Sequence, residues 1–82
     1  MTKQVEIGRT AYEWLSSHRF VSEETIIGIV INAPRPERKY LDNSRFKITF
    51  TKRKNSKFVN ITMWIHERST TYFVYKMHSQ RI

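Results

Sequence analysis

The sequence predicts an α+β domain: two N-terminal helices packed on one face of a three- to four-stranded antiparallel sheet. Three observations predict it. The C-terminal half holds three alternating runs, 45–51, 58–66 and 71–78, and alternation at period two sends successive side chains to opposite sheet faces. The N-terminal half carries helix-start chemistry in two places, at Thr10 and Ser22. At 82 residues the chain makes a single domain, residues 1–82, with room for one core.

Taken in order, residues 3–7 read as a short extended arm with Val5 and Ile7 on one side, broken by Gly8. Thr10-Ala11-Tyr12-Glu13 has the spacing of a capping box, and Ala11, Trp14 and Leu15 follow at helical spacing, so a helix is expected over about 11–18. Trp14 reads as a core anchor. Ser22 is a good N-cap, Glu23 and Glu24 suit the positive end of a helix dipole, and Val21 and Ile26 occupy staple positions. The β-branched body of that segment would also suit a buried strand. Cap, staple and the nearby Pro34 favour the helix, with Gly28 expected to allow close approach. Pro34 and Pro36 end it. Residues 37–41 are expected as an edge strand, and Asp42-Asn43-Ser44 as a turn.

In the sheet, Phe46, Ile48 and Phe50, then Val59, Ile61, Met63 and Ile65, then Phe73, Tyr75 and Met77 are expected to face the core. The opposite face then carries Lys47, Thr49 and Thr51, Asn60, Thr62, Trp64 and His66, and Tyr72, Val74, Lys76 and His78. Lys52-Arg53-Lys54-Asn55-Ser56-Lys57 reads as a hairpin loop with four cations.

The formal charge of +8 is unevenly placed. Residues 1–42 balance six acids against six bases, whereas residues 43–82 hold nine bases and only Glu67. The strand-rich half is the cationic half, and a polyanion is its natural partner. The absence of cysteine excludes disulfides and thiolate metal sites and fits a reducing cytoplasm. No long apolar run or signal-peptide core is present, so no membrane association is expected.

Candidate chemistries narrow quickly. His18, His66 and His78 are the three histidines, with no metal-binding motif around them, so no metal or other cofactor is expected. Two glycines, Gly8 and Gly28, cannot build a phosphate-binding loop. Metal-independent RNA cleavage has matching groups: His66 and His78 as base and acid, with Lys47 and Arg81 for developing phosphate charge. Arg45, Lys52, Arg53, Lys54, Lys57 and Lys76 are candidate nucleic-acid contacts, and Trp64, Tyr72 and Tyr75 are candidate aromatic ones. The bland alternative is an ordinary solvated face, with Trp64 covered by a loop or a second copy in a homodimer.

Val5-Glu6-Ile7, Arg9-Thr10-Ala11, His18 through Ile26 and Ala33-Pro34, followed by the alternating sheet, resemble the RelE/ParE and BrnT toxin superfamily and small domains beside it. The resemblance implies a RelE-like two-layer fold, metal-independent cleavage of mRNA, sometimes on the ribosome, and a cognate antitoxin protein as partner. By it, Lys47, His66, Tyr75, Lys76, His78 and Arg81 would correspond to working positions. Two departures stand out: Thr10 directly precedes Ala11 without the usual intervening histidine, and Phe20 replaces a usual glycine.

The residues thus support an RNA-binding protein, and the resemblance implies a toxin-like one, with metal-independent mRNA endoribonuclease activity as an open further step. Two alternatives are a noncatalytic nucleic-acid-binding module and a protein-interaction domain that uses the Trp64 face.

Overall fold

The computed structural model describes residues 3–81, in the order β1 (Gln4–Ile7), α1 (Arg9–Ser17), α2 (Glu23–Asn32), a 3-10 turn (Arg35–Glu37), β2 (Lys39–Tyr40), β3 (Arg45–Lys54), β4 (Lys57–Glu67) and β5 (Thr71–Arg81). The strands form one sheet in the order β1-β5-β4-β3-β2. The α+β class stands, but the expected arrangement does not. The sheet has five strands rather than three or four, and it is mixed, because β1 pairs in parallel with β5 while every other pairing is antiparallel. The helices are not N-terminal: the arm at 4–7 is a strand, and both helices lie between it and β2. The RelE-like two-layer arrangement expected from the resemblance is corrected accordingly.

The second helix follows its signals. Ser22 Oγ accepts from the Thr25 amide at 3.2 Å, and Val21 and Ile26 are both buried. Ala33, extended before Pro34, closes it with its amide on the Ile29 carbonyl. The first helix departs from its signals. It starts two residues earlier than expected, with Gly8 as N-cap and no side-chain cap, so Thr10 lies inside the first turn. Glu13 pairs instead with Arg9 at 3.3 Å. The glycines exchange roles as well. A Cβ on Gly28 would meet nothing within 4 Å, whereas one on Gly8 would lie 2.7 Å from the Phe73 ring and 3.1 Å from the Val74 carbonyl oxygen. Close approach is therefore required where β1 turns into α1.

Both helices bury their apolar residues against one sheet face. Ala11, Leu15, Val21, Ile26 and Val30 join Phe46, Ile48, Ile61, Met63, Ile65, Val74 and Met77 in a single core. Parity on β3 and β4 is as expected. On β5 it is not: Trp64 pairs with Lys76 but Ile65 pairs with Val74, which leaves Tyr75 as the extra residue of a β-bulge. The bulge resets alternation. Tyr72 and Val74 face the core, and Phe73 and Tyr75 leave it, reversing the expected faces of residues 72–75.

Arg38 explains why Tyr72 turns inward. Its guanidinium donates to the Tyr72 hydroxyl at 3.2 Å and to the Val30 and Ala33 carbonyls, so it also satisfies the end of α2. It lies 5.0 Å from the Phe46 ring centroid and 5.1 Å from that of Tyr72. Burial would lower its affinity for the proton, but hydrogen bonds with Tyr72 and Tyr40 outweigh that and hold the charge. Glu67 closes the same end of the core, accepting from Lys3 at 3.1 Å and Tyr40 at 2.9 Å. Burial would raise the Glu67 carboxyl, yet these partners pull it below the ordinary carboxylate range.

The turn into β3 is built on Asp42, which accepts from the Ser44 and Arg45 amides at 2.9 and 2.8 Å and pairs with the Arg45 guanidinium at 2.7 Å. The Ser44 amide and then Arg45 lower its pKa from 3.8 to about 2. A depressed folded-state pKa adds stability that is fully present above the unfolded-state value of 3.8 and lost as pH falls toward about 2. Asp42→Asn should therefore flatten part of the acid limb of a stability–pH profile measured by thermal unfolding. An unchanged limb would refute the assignment.

Candidate nucleic-acid interface

The sheet face opposite the helices is the expected one, and register places its side chains in rows. One row runs Lys39–Lys47–Trp64–Lys76 across four strands. The Lys76 ammonium stands 4.9 Å from the centroid of the half-buried Trp64 ring. This geometry holds a cation against the indole π-face while leaving its other contacts to a ligand. The next row is Arg45–His66–Phe73, with the Arg68 guanidinium 4.6 Å from the Phe73 ring centroid. On the other side lie Thr49–Thr62–His78, where the two threonine hydroxyls share a hydrogen bond at 3.1 Å. Beyond them come Thr51–Asn60–Gln80 and finally Arg53–Phe58.

The bulge adds what alternation alone would not. Freed from the core, Tyr75 lies on the face that carries Arg45, whose proton affinity is raised mainly by Asp42 and further by the Tyr75 hydroxyl. Arg45, Tyr75 and His66 thus join the Trp64 row in one patch. Tyr75 was expected to point inward by parity. The signal that it would not was the run Tyr72-Phe73-Val74-Tyr75, four apolar or aromatic residues that strict alternation cannot sort between two faces.

Several predicted site residues do not join this patch. Tyr72 is withdrawn, inward and bonded to Arg38. Arg81 pairs with Val59, on the core-facing parity and five residues along β4 from Trp64, about 17 Å away at the usual rise per strand residue. It cannot share a phosphate with Lys47. His66 and His78 share the open face but stand two rows apart, about 14 Å along the strands, with Trp64 and Lys76 between them. They are not placed as an acid–base couple across a single scissile bond.

The four hairpin cations are divided. The strands run on to a two-residue turn, Asn55-Ser56, with Asn55 at φ 54° in the left-handed region that asparagine tolerates. Lys52, opposite Val59, has core-facing parity; Arg53 lies on the open face; Lys54 and Lys57 flank the turn. Lys54 lies 5.0 Å from the ring centroid of Phe20, on the helix side. The third histidine, His18, is structural: Nδ1 donates to the Trp14 carbonyl at 2.7 Å, and the ring stacks on Trp14 at 4.0 Å.

Among the described residues no three His, Asp or Glu side chains are grouped to hold a metal ion, and no helix is long and apolar enough to cross a membrane. Compared with known protein families, curated proteins and solved structures, the chain matches none.

Proposed function

We propose that this protein binds single-stranded RNA on the open sheet face. The row Lys39–Lys47–Trp64–Lys76 carries this reading: an indole among three lysines, on the face opposite both helices. An indole platform needs an unstacked base, which a single strand offers and a duplex does not. The lysines supply sequence-independent attraction to phosphate, and the sequence resemblance to ribonuclease toxins favours RNA over DNA.

Cleavage of the bound strand is a second reading, favoured by the bulge that turns Tyr75 onto the open face with Arg45 and His66. In it, His66 takes the 2′-hydroxyl proton, the 2′-oxygen attacks phosphorus, and Tyr75 protonates the departing 5′-oxygen. The products carry a 2′,3′-cyclic phosphate and a free 5′-hydroxyl.

Both readings meet one assay. Three or four phosphate contacts predict that log affinity for an unstructured RNA falls with log salt at a slope of about 2–3. A flat dependence would reject the RNA surface in favour of a protein partner. Incubation in excess chelator then tests cleavage: cyclic-phosphate fragments that disappear in His66→Ala identify an enzyme, and intact RNA at full binding identifies a noncatalytic module.

A further inference from the structure

The far end of the sheet holds a groove of about 1060 Å³ between the α1–α2 connection, the β3–β4 hairpin tip and the end of β5. Its walls combine three cations, Lys54, Lys57 and Arg81, with the phenyl rings of Phe20 and Phe58 and the imidazole of His18. Among the described residues no carboxylate lines it. A second recess shares Phe20 and Lys54 and adds Arg19 and Arg53, again with no acid among the described residues. A groove of one charge sign with low-dielectric walls concentrates an anionic ligand.

Phe58 gives the groove its meaning. It is 56% exposed, although every other inward or outward aromatic of β4 and β5 is at least half-buried. By register it is the last side chain of the open face, opposite Arg53, and at the same time it lines the groove. An exposed ring where two cationic surfaces meet has no role in the core described above. It is suited to stack a base.

We infer that the groove is a second seat for the same nucleic-acid strand, which passes from the Trp64 row along the open face, over Phe58, and into the groove. There a base stacks on Phe58, and Lys57 and Arg81 hold the adjoining phosphates. This path rests on the open-face reading and extends it. It gives Arg81, excluded from the Trp64 patch by distance, a place as a phosphate contact. The two platforms are six residues apart on β4, about 20 Å, so only a strand of several nucleotides reaches both.

The test is fluorescence anisotropy with labelled oligouridines of about four and about twelve nucleotides, the short and long ends of common site sizes. The long strand should bind more tightly than the short one. Phe58→Ala should weaken the long strand at least about fivefold, the lower bound for a lost base stack. The double variant Lys57→Gln/Arg81→Gln should reduce its salt slope by about 1.4, the share of two phosphates. Both sets of residues are exposed, so circular dichroism should be unchanged. If wild type binds both lengths and these variants bind the long strand normally, the groove is overturned while the open face stands. Binding of neither oligonucleotide overturns both, and competition by base-free polyphosphate as strong as by RNA overturns the stacking seat.

Discussion

Phe46→Ala should lower the unfolding free energy by about 3–5 kcal/mol, through lost transfer energy and the cavity left behind. Phe46 is 0% exposed and sits where three supports of the fold meet. Its ring packs edge-on to Tyr72 at 6.1 Å, tilts against Tyr40 at 5.1 Å and lies under the Arg38 guanidinium at 5.0 Å. Removing it therefore withdraws the apolar floor from Arg38, which ties α2 to β5, as well as emptying core volume. A domain of this length has a total stability of about 4–12 kcal/mol, so the loss takes between roughly a quarter and all of it. Urea titration measures the effect directly, and Phe46→Leu, which keeps much of the volume, should lose clearly less. A loss below about 1 kcal/mol would place Phe46 outside the packed interior.

Trp64→Ala should cost about 1–3 kcal/mol of binding to single-stranded RNA, or roughly fivefold to 150-fold in affinity. Stability should change little by comparison, because the indole lies on the uncovered face and the core beneath is formed by Met63 and Ile65. Trp64→Phe should recover part of the affinity, since a smaller ring still offers a π-face. Affinity within twofold of wild type in a folded Trp64→Ala protein would remove the stacking platform and with it the proposed function. Quenching of Trp64 emission by RNA is read as the difference between wild type and Trp64→Phe, in which Trp14, packed against His18, is the remaining tryptophan.

Elements with redundant local signals were legible in the sequence. Ser22, Glu23, Glu24 and the Val21–Ile26 pair all argued for α2, and the structure agrees. β3 and β4 alternate cleanly, so their faces could be assigned before any coordinates. The misses share a physical cause: they depend on partners distant in sequence. Residues 4–7 become a strand only because β5 offers them a parallel edge, and nothing local in four residues announces a partner 67 positions away. Thr10 had capping chemistry, but Gly8 hydrogen-bonds to Val74 and starts the helix sooner. Tyr72 turned inward because Arg38 waits there, a contact 34 residues apart. The site fared similarly: the identity of the open face followed from β3 and β4, whereas the separation of His66 from His78 and the removal of Arg81 required the β4–β5 register.

The bulge at Tyr75 also separates two kinds of constraint on the chain. If residue 75 were deleted, Val74 would directly precede Lys76, and the existing pairs Ile65–Val74 and Trp64–Lys76 would become consecutive in an unbroken ladder. Every other residue of β5 would keep its face. The interior therefore makes no demand for this residue, and a shortened chain should fold to the same architecture. Tyr75 is a surplus position in an otherwise regular strand, one whose side chain the open surface alone can use. A one-residue deletion, usually among the most disruptive changes a strand can suffer, should here subtract a surface group and leave the ladder whole.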